Sequence, residues 1–324
     1  MKRLVLSLAA AAIVGVAGLS GAQAAEKLKY AHVYETTEPY HKRALWAAEE
    51  IKKQTNGRYE IEVFPASSLG KESDINEGLG LGTVDIIYTG ALFAGRFYGP
   101  IAISGAPFMF RDLDHWKSYA ASDLFQELSA GYRKKTGHTV LALTYYGQRH
   151  VTSNKPILKP EDMKNLKIRV PDAPLYRMFP EAVGANPTPI AFAEVYLALQ
   201  QGVADAQENP LPTIQAKKFY EVQKHINLTG HITDALLTIV SGTRWDSMKP
   251  EDQKIFASVL KEAAAKATAD IVESEQKLAD WFVKEGVTVN KVDRGPFREA
   301  VVKLHNGPSA TWDKATYDKL QALK

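Results

Sequence analysis

The sequence of 324 residues contains no cysteine, and this absence removes several classes of function. A chain without thiols has no cysteine nucleophile, no iron–sulfur ligands, no cysteine-based zinc site and no disulfide framework. Basic and acidic residues nearly balance, with 40 Lys and Arg against 37 Asp and Glu, so no nucleic-acid-binding surface is expected. The 24% of charged and 10% of aromatic residues are typical of a globular chain.

Common catalytic and cofactor-binding motifs are also missing. The 8 histidines form no H-E-x-x-H pair, and no G-x-S-x-G occurs. The glycines at 78, 80 and 82 lack the G-x-G-x-x-G spacing and lie at a predicted helix end, not between a strand and a helix. We therefore expect no metal and no cofactor, and binding is favoured over catalysis.

The long apolar run at the N-terminus predicts a secretory signal peptide. Lys2 and Arg3 precede an apolar stretch that continues to about Leu19, and small residues follow at a cleavage position. The alternative is a membrane anchor, but the stretch is shorter than the roughly 20 strongly apolar residues that span a bilayer. We predict cleavage after Ala24, a periplasmic location and a mature chain that is not embedded in the membrane.

The remaining chain alternates strand and helix patterns, which favours an α/β fold with mainly parallel sheets. Its length exceeds what one hydrophobic core usually serves, so two lobes are expected. The motif Leu-x-x-Gly-x-x-Asp occurs at 79–85 and recurs 120 residues further on, which indicates two similar lobes facing each other. We predict lobe I at 25–146 plus about 235–275, and lobe II at 147–234 plus about 276–324.

One helix is predicted to be unusually long, from 250 to about 285. Pro250 begins it, acidic residues follow in its first turn, and apolar residues recur along one face. At 1.5 Å per residue it would span roughly 50 Å, which is longer than one lobe. We therefore expect it to brace both lobes.

Three polar side chains follow predicted strands, at the edge where open α/β sheets bind ligands. Arg169 ends a short apolar strand, where a guanidinium can bind a carboxylate through two hydrogen bonds or form a structural salt bridge. Arg149 follows another apolar strand, where the chain leaves its first lobe. Asn209 ends a third strand, and its amide could bind a ligand oxygen or cap the helix after Pro210.

Six motifs occur in order along the mature chain: P-A-S-S-L-G-K-E at 65–72, L-K-I-R-V-P at 166–171, G-A-N-P-T-P at 184–189, F-A-E-V-Y at 192–196, D-A-Q-E-N-P at 205–210 and K-F-Y-E-V-Q-K at 218–224. Together they resemble the substrate-binding proteins of TRAP (tripartite ATP-independent periplasmic) transporters. The resemblance implies a two-lobed periplasmic-binding-protein fold that closes on a small organic acid and delivers it to a membrane permease.

The resemblance also implies a set of site residues. In that family the arginine at the position of Arg169 clamps the ligand carboxylate, and residues at the positions of Arg149 and Asn209 line the same site. Phe192 would form a wall of the site, and Glu72 would contact ligand hydroxyls. Further candidates are His32, Tyr34 and His231.

One departure from the family bears on the ligand. Sialic-acid-binding members carry an acidic pocket residue where Thr89 and Gly90 stand in this sequence, which disfavours sialic acid. Because Glu72 would accept from sugar hydroxyls and repel a second carboxylate, a hexuronate such as galacturonate or glucuronate is favoured over a C4-dicarboxylate. Within the same family, a C4-dicarboxylate receptor or a sialic-acid receptor remains an alternative. Two further alternatives are a periplasmic lyase or isomerase acting on sugar acids and a receptor for an ATP-driven importer.

Overall fold

The computed structural model describes residues 24–324, so the predicted signal peptide lies outside the described residues except for its last residue. The nine strands of this part of the chain are β1 (Glu26–Ala31), β2 (Tyr59–Phe64), β3 (Ile86–Gly90), β4 (Thr139–Ser153), β5 (Lys167–Val170), β6 (Asn186–Pro189), β7 (Ala206–Pro210), β8 (His225–Val240) and β9 (Thr288–Asn290).

The helices are α1 (Pro39–Gln54), α2 (Glu72–Leu81), α3 (Ala91–Ala94), α4 (Leu113–Ala121), α5 (Asp123–Thr136), α6 (Met178–Ala182), α7 (Val195–Gln200), α8 (Leu211–Ala216), α9 (Phe219–Val222), α10 (Gly242–Ser247), α11 (Pro250–Lys284), α12 (Gly295–Val302) and α13 (Lys314–Gln321). Short 3-10 turns cover Gly99–Gly105, Pro160–Met163, Pro174–Arg177 and Phe192–Glu194. None of the described helices combines the length and the apolar character needed to cross a membrane.

The strands form one sheet in the order β2-β1-β3-β8-β4-β7-β5-β6, with β9 beside β8. In the first lobe β1 lies parallel to both β2 and β3, and in the second lobe β5 lies parallel to both β6 and β7. The long strands β4 and β8 run antiparallel between these two groups and belong to both lobes. The expected two-lobed α/β fold is therefore confirmed, with one antiparallel strand pair joining the lobes.

The length of β4 and β8 was not predicted, because the sequence indicated only a short strand at 140–143. The pairing of β4 with β8 shifts register at three places, including one between Tyr145 and Gly147 and one between Arg149 and Val151. Each bulge interrupts the alternation of inward and outward side chains, so no strand pattern extends across it. The predicted lobe boundaries at 146/147 and 234/235 coincide with the first of these two bulges and remain predictions.

The two copies of the repeated motif have the same local geometry. In the first lobe the amide of Asp85 donates to the carbonyl of Lys29 at 3.0 Å, and the Asp85 carboxylate accepts from the Lys29 amide at 2.8 Å. In the second lobe Asp205 makes the same two contacts with Lys167, at 2.8 and 3.3 Å. The motif thus fixes the start of β3 against β1 and the start of β7 against β5.

Helix α11 begins and ends within one residue of the predicted positions. It packs against α1 and β4 on one side and reaches α8 and β9 on the other, so it contacts elements of both lobes as expected. Its buried apolar residues form a stripe at helical spacing, made of Phe256, Val259, Leu260, Ala263, Ala264, Ala267, Ile271, Leu278 and Phe282.

Candidate ligand-binding cleft

A cleft opens between the lobes at the carboxyl ends of β1, β3, β5 and β7, where ligands of open α/β sheets bind. The space between the protein atoms there is about 490 Å³ when the part open to solvent is included, but the enclosed cavity volume is only about 30 Å³. Its lining residues are Val33, Tyr34, Lys71, Glu72, Ser73, Phe93, Tyr146, Arg149, Arg169, Pro171, Asp172, Tyr176, Ala191, Phe192, Asn209 and Leu236. Six of the eight residues predicted for the site are among them, and His32 and His231 are not.

Arg169 is the third residue of β5, and its guanidinium is buried. Few protein groups accept hydrogen bonds from it. Its Nε and Nη2 both donate to the carbonyl oxygen of Ile190, at 2.9 and 2.8 Å, and its Nη1 has no hydrogen-bond partner. The Phe192 ring lies 5.9 Å from the guanidinium carbon. Burial lowers the pKa of Arg169 to about 10, so the group stays cationic near neutral pH. Among residues 24–324 no carboxylate forms a salt bridge with it, so Nη1 is a buried donor without a protein acceptor.

Arg149, in contrast, is held by carboxylates of the protein. Its Nε and Nη2 form a fork on the Glu208 carboxylate, with Nη2 at 2.7 Å from Oε1, and its Nη1 donates to Asp234 at 3.0 Å. The guanidinium carbon lies 5.6 and 5.2 Å from the ring centroids of Tyr146 and Tyr176. Although burial would raise the pKa of Glu208, the charge of Arg149 lowers it to about 2. Arg149 therefore retains few free donors for a ligand.

The two predicted histidines lie behind the cleft wall. His231 is buried with Nε2 at 3.2 Å from the Glu208 carboxylate, and burial lowers its pKa. His32 accepts from the amide of Tyr34 at 3.2 Å and lies 3.2 Å from His41, and burial lowers its pKa to about 3. Within residues 24–324 no group of three or more His, Asp and Glu side chains could hold a metal ion.

Asn209 lies in β7 with its side chain fully buried. Its Oδ1 accepts from the Tyr146 hydroxyl at 3.2 Å, and its Nδ2 donates to Gln207 at 2.7 Å. Asn209 does not cap helix α8, because Pro210 occupies the N-cap position and no side chain caps the helix. One N–H of the Asn209 amide remains for the cleft.

Glu72 lies at the first position of α2 on the opposite side of the cleft. Its Oε1 accepts from the Gly90 amide at 2.7 Å and from the Thr89 hydroxyl at 3.1 Å. Burial raises the pKa of Glu72 to about 7, even though these two hydrogen bonds lower it. Oε2 makes no hydrogen bond to any residue that the structure describes, so it is available to accept from a ligand hydroxyl.

Sequence reasoning missed several residues that line the cleft or hold Arg149 in its wall. Glu208 lies within the D-A-Q-E-N-P motif, and its position next to Asn209 was the available signal. Tyr146 and Asp234 lie at the bulge between the long strands, where no strand was predicted, and no local pattern indicated them. Tyr176 follows Pro174 in a 3-10 turn whose position against Arg149 depends on tertiary structure.

Known proteins resemble this chain over most of its length. The model of the bacterial extracellular solute-binding proteins, family 7, matches residues 30–309. The sialic acid-binding periplasmic protein of Vibrio cholerae is 31% identical over 312 residues, which are 96% of this chain and 97% of that protein.

Two solved structures of TRAP periplasmic solute-binding proteins have the same fold. One, from a Polaromonas species and bound to D-erythronate, has a TM-score of 0.88 at 33% identity and covers 92% of this chain and 99% of its own. The other, from Xanthobacter autotrophicus with bound β-D-galacturonate, has a TM-score of 0.86 at 28% identity and covers 92% of this chain and 100% of its own.

Proposed function

Because the chain belongs to family 7 of the bacterial extracellular solute-binding proteins, the receptors of TRAP transporters, we propose that it binds a hexuronate such as galacturonate or glucuronate in this cleft and delivers it to a TRAP permease. The family consists of receptors, so the chain is not a sugar-acid lyase or isomerase. The location that goes with this function is the periplasm, with the leader removed after Ala24.

The unpaired guanidinium of Arg169 is the observation that carries the proposal. A buried cation without a counter-ion is costly, and a ligand carboxylate would supply the missing charge and acceptors. Nη1 and the remaining N–H of Nη2 are two neighbouring donors, which suit the two oxygens of one carboxylate. The site therefore favours ligands that carry an acid group at this end.

The opposite wall supports a hydroxylated ligand. Glu72 presents an acceptor oxygen, and Asp234 contributes a further buried carboxylate to the same region. Above about pH 7, where Glu72 is mostly ionised, a sugar hydroxyl can donate to it, whereas a second ligand carboxylate would be repelled by it. This argument favours hexuronates over C4-dicarboxylates. The name of the Vibrio relative keeps sialic acid as a further alternative, and the Xanthobacter structure holds a galacturonate.

The structure is closed around the cleft, because side chains of the two lobes touch across it. The rings of Tyr34 and Phe192 lie 6.2 Å apart, and those of Phe93 and Tyr176 lie 6.0 Å apart. A ligand that contacts both Arg169 and Glu72 completes its contacts only when the lobes are closed. Binding would then shift an open–closed equilibrium, and the closed form would be the one that the permease recognises.

A thermal-shift panel on the mature protein tests this function. The acids are D-galacturonate, D-glucuronate, D-erythronate, succinate and sialic acid, and D-galactose and D-glucose are the matched neutral sugars. We expect the two hexuronates to raise the Tm most and the neutral sugars to leave it unchanged, because only the acids can pair with Arg169. Calorimetry then gives the Kd of each acid that binds.

Each outcome of the panel has a definite meaning. Equal shifts from D-galactose and D-galacturonate would overturn the carboxylate assignment. A larger shift from succinate or sialic acid would keep the receptor function and replace the hexuronate by that acid. No shift from any acid would overturn the proposal that the cleft takes this class of ligand.

A further inference from the structure

We propose that Gln207 is a positioning residue for the ligand, because it fixes the amide of Asn209 so that only an N–H donor faces the cleft. Gln207 touches no cleft space itself and would act entirely through Asn209. This inference rests on the proposed function, since it concerns how the same cleft selects its ligand.

A chain of four buried side chains supports the assignment. Asn209 Nδ2 donates to Gln207 Oε1 at 2.7 Å, and Gln207 Nε2 donates to Thr152 Oγ1 at 3.0 Å. Thr152 Oγ1 lies 3.3 Å from Gln223 Oε1, and Gln223 Nε2 donates to the backbone carbonyl of Val222 at 3.1 Å. All four side chains are at most 1% exposed, so water cannot replace these contacts.

The chain can run in only one direction because it ends on a backbone carbonyl, which accepts and never donates. The Gln223 amide must turn its nitrogen toward Val222, so its oxygen faces Thr152 and takes the hydroxyl proton. Thr152 is then the acceptor for the nitrogen of Gln207.

With its nitrogen on Thr152, Gln207 must present its oxygen to Asn209. From the other side, the Tyr146 hydroxyl donates to Asn209 Oδ1 and consumes the acceptor end of the amide. The amide is therefore held at both ends, and one N–H of Nδ2 remains directed at the cleft.

The orientation matters because Gln207 pairs in register with Arg169 in the neighbouring strand. Asn209 follows two residues later on the same face of the sheet, so its free N–H and the guanidinium belong to one donor surface. A flipped amide would turn a carbonyl oxygen toward the bound carboxylate and repel it. Gln207 thus selects for an acceptor-rich group at this end of the ligand.

A double-mutant cycle separates positioning from a merely structural role. Gln207→Met keeps the side-chain volume but removes both polar contacts, and it is measured alone and together with Asn209→Ala. The probe is D-galacturonate, or the acid of the panel above with the lowest Kd for the unmutated protein. We expect Gln207→Met to raise the Kd about three- to tenfold alone and by less than about twofold beside Asn209→Ala.

Two threonines of β4 provide a matched pair of variants. Thr152→Val breaks the next link of the chain and should raise the Kd by about two- to threefold. Thr144→Val removes an equally buried hydroxyl that has no hydrogen-bond partner, and it should leave the Kd unchanged. The Tm of each ligand-free variant shows whether it is folded, and the Kd of a folded variant is compared with that of the unmutated protein.

The outcomes distinguish the two proposals. Suppose that the unmutated protein binds the acid. If Gln207→Met then leaves the Kd unchanged, or raises it by the same factor with Asn209 and in Asn209→Ala, the positioning role is overturned and the receptor function stands. A loss of affinity that occurs only in the protein that retains Asn209 supports the positioning role of Gln207. If no acid binds the unmutated protein, the proposed function fails and this inference fails with it.

Discussion

The two lobes have the same arrangement of strands, but the strand ends that face the cleft differ in their hydrogen-bonding groups. The first lobe presents an acceptor there, and the second presents donors. In the first lobe Ala31 of β1 pairs with Ile87 of β3, and at the same register in the second lobe Arg169 of β5 pairs with Gln207 of β7. The position that holds the methyl group of Ala31 in one lobe therefore holds the guanidinium of Arg169, the proposed carboxylate clamp, in the other. The repeated motif sets the same strand arrangement in both lobes. The residue types at the strand ends then decide which hydrogen-bonding groups face the cleft.

The next pair of positions extends the contrast. Thr89 and Asn209 each lie four residues after the aspartate of the repeated motif, on β3 and β7. Thr89 donates to Glu72 and so supports an acceptor, whereas Asn209 presents a donor beside Arg169. A ligand with an acid at one end and hydroxyls at the other matches both walls. The predictions below change one wall at a time.

We call Arg169 and Asn209 the donor wall of the cleft and Glu72 its acceptor wall. The largest loss of ligand affinity should come from a change in the donor wall. Arg169→Ala should weaken hexuronate binding at least about tenfold, because truncating a buried charge partner costs about 2 to 5 kcal/mol. Arg169→Lys should recover little, since an ammonium lacks the planar fork whose parallel N–H groups fit the two oxygens of one carboxylate. Calorimetry measures both, and the exposed Arg96→Lys is the control. Near-normal affinity in Arg169→Lys would contradict two-point binding.

The acceptor wall should change selectivity more than overall affinity. In Glu72→Gln the side-chain oxygen can still accept from Gly90 and Thr89, but an amide nitrogen replaces the free carboxylate oxygen. Hexuronates should lose about 1.5 to 3 kcal/mol, the usual contribution of a hydrogen bond to a charged group.

Succinate is the informative comparison for this variant. Its binding to Glu72→Gln should be unchanged or tighter, because the repulsion between two carboxylates is removed. Competition calorimetry gives both Kd values. A parallel loss for succinate and the hexuronates would contradict the placement of ligand hydroxyls at Glu72.

The two walls should also differ in their response to pH. Burial raises the pKa of Glu72 to about 7, so between about pH 4.5 and 7 the folded protein holds a proton that the unfolded chain has released. Stability of the ligand-free protein should therefore fall as the pH rises through this window, by about 3 kcal/mol for this group. Arg169, whose pKa is lowered only to about 10, contributes nothing there.

Melting curves at several pH values check this contribution. Glu72→Gln should reduce the fall in Tm between pH 4.5 and 7.5, and the exposed Glu49→Gln should not. A residual fall is expected from Glu38 and Glu275, because burial also raises the pKa of each to about 7. An unchanged pH profile in Glu72→Gln would show that this carboxyl titrates normally.

The accuracy of the predictions from the sequence differs between elements. Helix α11 was predicted within one residue because its caps and apolar period are local features. The strands β4 and β8 were not, because their bulges interrupt the pattern and their pairing joins residues far apart in sequence. The family resemblance assigned the carboxylate clamp to Arg169 and placed Arg149 in the same site, but it did not indicate that Arg149 is held by protein carboxylates. Only tertiary structure separates the arginine held by Glu208 from the one that lacks a carboxylate.

The smallest effect should come from a contact that joins the lobes without lining the ligand. Lys217 Nζ lies 2.7 Å from Glu35 Oε1 and 5.1 Å from the Phe192 ring, in a pair that is only partly buried. Glu35→Gln should weaken binding by about 0.2 to 1 kcal/mol at low salt, and less at high salt, because exposed ion pairs are weak and screened. The loss should be equal for hexuronates and succinate, since neither Glu35 nor Lys217 lines the cleft and the pair acts on closure.

The matched control for this ion pair is Glu60→Gln, which removes a surface pair with Lys52 at 2.9 Å inside the first lobe and should leave the Kd unchanged. Calorimetry at low and high salt, with a hexuronate and with succinate, gives the four values needed. If Glu35→Gln altered the ratio of the two ligands, closure itself would discriminate between them. Selectivity could then no longer be assigned to the strand ends alone, and the contrast between the two walls would lose its explanatory role.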